Sequence, residues 1–414
     1  MNGIAERLAK QIKAGNDVII YGAGMEGENL VFSLKENFSA EPVCFCDGDQ
    51  AKWHQKLLHI EILSIDEALD SYPEAFIYIS SSLHKHQIIG YLTEQKGINP
   101  QQIINYERVE KRKSCALLET QMLAADHKLQ FCCSDFGKNK SPALEFDGDY
   151  KSSLKKFFNL RDNLIDRFSH SLPTSCDGCP CVEETYYACD RKVRRINYSE
   201  GGICNSNCIY CIIHQKKENM QDDIQLAPIL NILKGNGEID EELFTFIACG
   251  EITIHPLRSE IYKAIEDYQN CVCTNSFKYD EGLQHLLGQK NSILNVSVDS
   301  GTQSTFNRVK GSDLFDTVKQ NLTKYSQSGL IELKYIFLPE VNDNKKNVDG
   351  FIELCKTVGA HSAAISYDLF APQIPTENMK NMILYMKEQI TAEGLVCKSV
   401  SDVVNKVIRE RGGK

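Results

Sequence analysis

The chain has 414 residues, 42 % of them hydrophobic and 25 % charged, with a net charge of −10. That length suits two or three domains with sizeable cores, and the acidic balance argues against nucleic acid as the main partner. No apolar run reaches the length of a membrane span. The opening Met-Asn-Gly-Ile-Ala-Glu-Arg-Leu lacks the apolar core of an export signal, and seventeen cysteines without one suit a reducing, cytoplasmic setting and metal ligation.

At the N-terminus, Ile4, Leu8 and Ile12 recur at helical spacing. Val18-Ile19-Ile20-Tyr21 reads as a buried strand and runs directly into Gly22-Ala23-Gly24-Met25-Glu26-Gly27. Leu30, Val31 and Leu34 mark the helix that follows. G-x-G-x-x-G between a strand and a helix is the dinucleotide fingerprint of Rossmann-like folds. Its glycines let backbone approach a pyrophosphate, and the helix N-terminus favours the negative charge. A second strand, Val43-Cys44-Phe45-Cys46, ends at Asp47, twenty residues after Gly27, where a ribose-binding acid is expected. A further strand, Phe76-Ile77-Tyr78-Ile79, ends in Ser80-Ser81-Ser82 beside the same crevice. Residues 1–110 are thus expected to form a small Rossmann-like domain, with Gly22, Gly24, Gly27 and Asp47 as candidate nucleotide contacts. The segment resembles nucleotide-binding domains attached to glycan-biosynthesis enzymes, through Tyr-Gly-Ala-Gly-x-x-Gly and through Phe-Cys-Asp-Gly-Asp with Lys52 after it. A degenerate unit used for packing or substrate docking fits the same residues, since fold does not imply function.

Residues 111–190 read as a cysteine-rich bridge. Lys111-Arg112-Lys113 opens it, and Leu154, Phe157, Phe158 and Leu160 suggest one helix. Cys132-Cys133, Cys176-Asp177-Gly178-Cys179-Pro180-Cys181 and Cys189 lie among loop-forming residues, and loops are where metal ligands converge. A second metal site is expected here, with Cys133 (or Cys132), Cys176, Cys179 and one of Cys181 or Cys189 as ligands. An iron–sulfur cluster and a four-thiolate zinc site both fit.

Residues 191–375 alternate strands and helices. Val193 to Asn197 leads into Gly-Gly-Ile-Cys204-Asn-Ser-Asn-Cys208-Ile-Tyr210-Cys211. Three thiolates at C-x3-C-x2-C can hold three irons of a [4Fe–4S] cluster and leave the fourth iron without a protein ligand. Structural sites normally close their coordination, and a zinc site would need a fourth ligand such as His214. A helix carrying Ile224, Leu226, Ile229, Leu230 and Leu233 stops near Gly235-Asn236-Gly237. Strands are expected around Phe244, Val272, Leu294, Tyr335 and Ala364, each followed by helical periodicity. With the strand before the cysteines they make six βα repeats. The fold class is therefore α/β, a partial (β/α)6 barrel preceded by the small Rossmann-like domain, with ligands at the C-terminal strand ends. Residues 376–414 add helices carrying Met379, Ile383, Met386, Val404 and Val407.

The cysteine run, with Tyr210 at its aromatic position, resembles the signature of the radical SAM superfamily, C-x3-C-x-aromatic-C. Strand-end motifs agree in order. Cys249-Gly250-Glu251-Ile252 is similar to the family's G-G-E-P, with Cys249 for the first Gly and Ile252 for Pro. Thr274-Asn275-Ser276 is similar to T-N-G, and Ser297-Val298-Asp299-Ser300 to the S-x-D segment; Lys310-Gly311 lies just beyond. The resemblance implies that S-adenosylmethionine binds the open iron, near Tyr210, Gly250, Glu251, Asn275, Ser297 and Asp299. One electron, from a flavodoxin or ferredoxin, then releases a 5′-deoxyadenosyl radical that abstracts hydrogen from substrate. The bridge resembles the auxiliary-cluster elements of SPASM enzymes, but it precedes the catalytic cysteines instead of following them. Local readings stay open beside these. Glu251 fits a helix-terminal carboxylate, Asn275 a turn and Asp299 a cap. Lys334 is a candidate catalytic or carboxylate-binding cation if it points into the barrel, and a solvated residue if it points out. The expected function is a radical SAM enzyme acting on a nucleotide-linked or sugar small molecule, with epimerisation, dehydration, oxidation and methyl transfer all open. The alternatives are a SPASM-type peptide maturase, a zinc–thiolate scaffold and an NAD-dependent dehydrogenase.

Overall fold

The computed structural model describes residues 3–132, 142–200, 202–211, 224–289, 291–368, 371–372 and 374–411. Two compact units divide the chain. The first takes in Met1–Gly201, Gln221–Ala248 and Glu260–Asn270; the second takes in Gly202–Met220, Cys249–Ser259 and Cys271–Lys414. Cys133 and His214 lie outside the described residues. Among the described residues no helix is long and apolar enough to cross a membrane.

The first unit opens with β1 (Val18–Tyr21), β2 (Cys44–Cys46), β3 (Lys56–Leu57), β4 (Ile60–Leu63) and β5 (Phe76–Ile79), in sheet order β3-β4-β2-β1-β5. β1 pairs in parallel with both β2 and β5, and β2 with β4. All four residues of β1 are buried, as a continuous apolar run on a two-sided parallel sheet requires. The chain reverses its winding between β1 and β5, so the switch-point crevice opens above Tyr21 and Ile79. This is the Rossmann-like arrangement expected from G-x-G-x-x-G.

The same unit continues with β6 (Val109–Ser114), β7 (Gln121–Ala125), β8 (Lys128–Gln130), β9 (Ala143–Glu145), β10 (Glu183–Ala188), β11 (Val193–Ser199) and β12 (Ile239–Ile247). β6 and β10 form an antiparallel ribbon. β11 runs parallel to β12 on one side and to β7 on the other, and β8 and β9 extend that sheet antiparallel. The bridge therefore supplies strands as well as loops. Gln-Met-Leu-Ala-Ala of β7 is rich in helix formers. Its pairing with β11 overrides that preference.

One buried cation ties these parts of the unit together. Arg194 of β11, 2 % exposed, reaches Glu107 at 2.5 Å, Asp190 at 2.8 Å and Asp240 of β12 at 3.3 Å. Lys85 reaches Glu107 at 2.5 Å and Glu242 at 3.3 Å, and His86 sits 2.9 Å from Glu107. Burial works against charge on Glu107, yet His86, Arg194 and Lys85 hold its carboxyl well below the usual carboxylate range. The converging oxygens of Glu107, Asp190 and Asp240 thus answer to a guanidinium.

The second unit holds β13 (Gln269–Thr274, from Cys271 on), β14 (Ser292–Ser297), β15 (Leu330–Phe337), β16 (Ser362–Tyr367) and β17 (Val396–Ser399) in that sheet order. β14 to β17 are parallel throughout. With β11 and β12, the strands β13 to β16 are the six expected repeats, and the fold is the α/β partial barrel with an added domain. β17 is a further parallel strand in a region read from sequence as helical. On β15, Tyr335 packs edge-on against Phe351 of the helix Lys345–Val358, ring centroids 5.0 Å apart. Strand alternation therefore sends Glu332 and Lys334 to the face away from the helices.

Replacing Arg194 with Met should cost about 3 kcal/mol, because it strands the buried carboxylate of Asp240 and takes one of three cationic or imidazole partners from half-buried Glu107; urea denaturation should show the fall. A second outcome concerns pH. Burial, then the charge of Lys398, push the His361 imidazole down to about 4 from an ordinary 6.5. Between those values the unfolded chain binds a proton that the native chain does not, so stability should fall as pH drops from about 6.5 to 4. His361→Gln should flatten that part of the stability–pH curve.

Candidate radical site

All of the following residues lie in the second unit. The loop bearing Cys204, Cys208 and Cys211 is docked on the helix Gln303–Lys310. Asn207 N–H donates to Lys310 O at 3.0 Å, Ile209 N–H to Val309 O at 3.0 Å, and the Ser206 hydroxyl to Lys310 O at 3.2 Å. Gly311 makes this approach possible. It has φ +65°, and a Cβ there would stand 3.0 Å from Asn207 Cβ and from Asn207 O. Cys211 N–H donates to Cys208 O at 3.1 Å, closing a turn between the second and third cysteines.

Tyr210 reaches under this loop to a buried ion pair. Lys310 Nζ lies 2.5 Å from Asp299 Oδ2 and donates to the Tyr210 hydroxyl at 2.6 Å; the same hydroxyl bonds Asp299. Asp299 Oδ1 accepts from Ile336 N–H at 2.8 Å. The lysine and the aspartate are both buried. Asp299 adopts φ +59°, a left-handed conformation that aspartate tolerates better than most residues. Burial, then the Asp299 charge, push the Tyr210 hydroxyl well above its ordinary range, so it stays protonated as a donor. The ring packs with Val309, Ile336, Leu338 and Val341. Lys310 is the residue whose part could not be read from sequence, where it stood only as half of a Lys-Gly pair.

Glu251 forms the second anchor. It is fully buried. Its Oε1 accepts from Thr253 N–H at 3.0 Å, Thr253 Oγ1 at 2.6 Å and Thr274 Oγ1 at 2.6 Å. Its Oε2 accepts from Asn275 N–H at 2.5 Å. Glu251 N–H in turn donates to Ile203 O at 2.8 Å. The carboxylate thus locks the ends of two segments beside the cysteine loop. Asn275 carries the link onward: its Nδ2 donates to Asn205 Oδ1 at 2.7 Å and points at Cys204 Sγ at 3.8 Å. Gly250, at φ +48°, makes the turn before Glu251. Ser297 stands opposite Lys334 in the β14–β15 register. Lys334 is half-buried, on the helix-free face with Glu332. Glu332 is itself bound by Asn295 at 2.5 Å, Ser362 at 3.1 Å and Lys398 at 2.7 Å. The expected site residues of this unit therefore gather around the cysteine loop and along the adjoining strand ends.

The thiols suit a cluster. Burial, then Glu251, Cys208 and Cys211, push the Cys204 thiol up to about 11, so a metal must displace its proton. Ser206 Oγ lies 3.0 Å from Cys208 Sγ. With Asn275 on Cys204, two cysteine sulfurs have polar hydrogen-bonding neighbours, the feature that tunes iron–sulfur potentials.

Residues 198–352 match the Radical SAM superfamily. The matched segment takes in the cysteine loop together with Glu251, Asn275, Asp299 and Lys310. The chain is 23 % identical over 190 residues to a protein of Methanococcus maripaludis named "Probable GTP 3′,8-cyclase", a match spanning 44 % of this chain and 62 % of that protein. Among solved structures it is similar to SuiB of Streptococcus suis bound to S-adenosylmethionine, at 12 % identity and TM-score 0.42, over 65 % of this chain and 55 % of that one. It is also similar to anSMEcpe with bound AdoMet, at 14 % identity and TM-score 0.40, over 50 % of this chain and 63 % of that one. The chain thus spans under two thirds of the length of each of these relatives.

Lys310→Met should leave Asp299 as an uncompensated buried carboxylate and cost about 3–5 kcal/mol locally. The measurable outcome is loss of iron from the Cys204–Cys208–Cys211 loop on gel filtration. Lys310→Arg, which keeps the charge, should retain more iron than Lys310→Met.

Proposed function

We propose that this protein is a radical SAM enzyme, with a [4Fe–4S] cluster on Cys204, Cys208 and Cys211 and S-adenosylmethionine as cofactors, and that it abstracts hydrogen from a nucleotide-linked small molecule, a nucleotide sugar or related glycan precursor. The observation that carries the reading is the crevice of the Rossmann-like sheet. It is a cavity of about 440 Å³ bordered by Gly22, Gly24, Glu26, Asp47, Ser80 and Arg195.

Each fingerprint glycine there has its own task. A Cβ on Gly27 would meet Gly22 O at 2.0 Å, and one on Gly22 would meet Ser80 Oγ at 2.8 Å, so both serve packing of the turn. A Cβ on Gly24 would meet nothing within 4 Å, because that position faces open space. Gly24 starts the helix Met25–Phe38 without a side-chain cap. The first N–H groups of that helix are therefore available to an anion such as a phosphate. Glu26 would repel an anion, but it is bound by Ser82 N–H at 2.6 Å, Ser82 Oγ at 2.7 Å and Arg195 at 3.1 Å. Burial pushes its carboxyl up, toward the neutral form. Asp47 accepts from Ala23 N–H at 2.9 Å and from Lys52 at 2.8 Å, which shapes the loop and leaves its other oxygen on Asp49 N–H. The acid after β2 therefore acts first as a brace for the glycine turn. The Methanococcus maripaludis relative is named for a nucleotide, GTP, which agrees with this choice of substrate class.

When bound, the cluster and S-adenosylmethionine supply the radical, with an electron from a flavodoxin or ferredoxin. The protein's own part is to hold and orient. Cys204, Cys208 and Cys211 present three thiolates. Glu251 and Asn275 fix the loop beside Cys204, while Tyr210, Asp299 and Lys310 fix it beside Cys208 and Cys211. Lys334 offers a cation on the helix-free face for a carboxylate or phosphate. A reactive radical needs exclusion of water and of side reactions.

Anaerobically reconstituted protein given S-adenosylmethionine and dithionite should release 5′-deoxyadenosine, and Cys208→Ala should not. Nucleotide sugars should raise that release. Gly24→Val, which fits its own backbone but fills the crevice, should weaken nucleotide binding by about tenfold or more, on the order of 1.4 kcal/mol. Calorimetry that finds no nucleotide or nucleotide sugar bound, while S-adenosylmethionine cleavage persists, would sink the substrate assignment.

A further inference from the structure

Five cysteines of the first unit converge well away, in sequence, from the radical loop. Ser114 pairs with Glu183 across the β6–β10 ribbon. Cys115 therefore leaves the ribbon at the end where Cys181 and Val182 enter it. Two turns fold the preceding loop back on this end: Val182 N–H donates to Cys179 O at 3.2 Å, and Cys179 N–H to Cys176 O at 3.0 Å. From Cys115 the short helix Ala116–Thr120 leads to β7, where Gln121 Nε2 donates to Phe131 O at 2.7 Å and draws Cys132 to the same place. Electrostatic contact joins Cys115 to Cys179 and Cys132, Cys176 to Cys132 and Cys179, and Cys181 to Cys115, Cys179 and Cys132, and Cys176, Cys179 and Val182 line one cavity with Lys113 of β6.

We propose that this patch is a second iron–sulfur site, a [4Fe–4S] cluster held by four of the thiolates of Cys115, Cys132, Cys176, Cys179 and Cys181.

The geometry favours a cluster over one zinc ion. Zinc bonded to sulfur at about 2.3 Å draws its thiolates to about 3.8 Å from one another. Among the described residues, the group of three metal-capable side chains with donor atoms all within 4.8 Å is Glu107, Asp190 and Asp240. No three of these sulfurs are that close. A cube with one thiolate on each iron spreads its ligands farther. Cys176 and Cys179 also border a cavity of about 470 Å³ beside Lys113, whose ammonium complements an anionic thiolate cluster.

The ligand set differs from the one expected from sequence. Cys189 is exposed and follows the far end of β10, its N–H on Arg108 O at 3.3 Å. The six residues of β10 separate it from Cys181 by roughly 17 Å of strand, at about 3.3 Å per residue. Cys115, by contrast, sits in the patch.

The site stands apart from the substrate reading above, because its test reads metal and not turnover. The first cluster is removed with the triple variant Cys204→Ala/Cys208→Ala/Cys211→Ala in the full chain. After anaerobic reconstitution that protein should keep about four irons and four sulfides, against about eight of each in the unaltered chain, with a Mössbauer spectrum of an all-thiolate cube. Adding Cys115→Ser and Cys179→Ser should remove them, with circular dichroism reporting retained secondary structure, while adding Cys189→Ser should leave them in place. A triple variant without iron and sulfide, or with zinc in their stead, overturns the proposal. So does an undiminished cluster after Cys115→Ser/Cys179→Ser.

Discussion

The buried ion pair between Asp299 and Lys310 is the constraint on which the radical site depends. A charge taken out of water is costly unless it is paired and hydrogen-bonded. Here the pair is completed by the Tyr210 hydroxyl and by Ile336 N–H. Tyr210 lies between Cys208 and Cys211, so satisfying the pair fixes the cysteine loop as well. The main-chain bonds of Asn207 and Ile209 to Lys310 and Val309 run along the same helix end. Loop, helix end and strand end are thus one cooperative polar assembly. An open iron needs such a base, because three cysteines on a free loop would not hold a fixed orientation.

Glu251 repeats the strategy on the Cys204 side. A carboxylate with four hydrogen bonds inside the protein is a framework element first. Its effect on a bound ligand passes through Asn275 and the backbone it straightens. The Rossmann-like crevice follows a related logic, with Asp47 bracing the glycine turn and Glu26 held by Ser82 and Arg195. In each case an acid at the mouth of a site is found holding the shape of that site.

What could be read from the sequence was local or periodic. The C-x3-C-x2-C spacing, the strand–glycine–helix run at Val18 to Gly27 and the apolar strand cores all depend on neighbours in the chain. The rest depends on distant pairings. Lys310 meets Asp299 and Tyr210 only once a strand end and a helix end come together. Cys115 reaches Cys181 only through the antiparallel register of β6 and β10, which no spacing encodes. β7 was hidden by its helix-forming composition. Of the basic cluster around Val193, Arg194 is buried among acids and Arg195 lines the crevice, a division set by which side of β11 each occupies. The same alternation decides Lys334, once Tyr335 is seen against the helix.

The central claim is that the cluster on Cys204, Cys208 and Cys211 carries S-adenosylmethionine on its open iron. Electron paramagnetic resonance of the dithionite-reduced Cys115→Ser/Cys179→Ser protein isolates that cluster. Adding S-adenosylmethionine should change the g values of the reduced cluster, and S-adenosylmethionine labelled with ¹⁷O at its carboxylate should show hyperfine coupling to it. An identical spectrum with and without saturating S-adenosylmethionine would contradict the account.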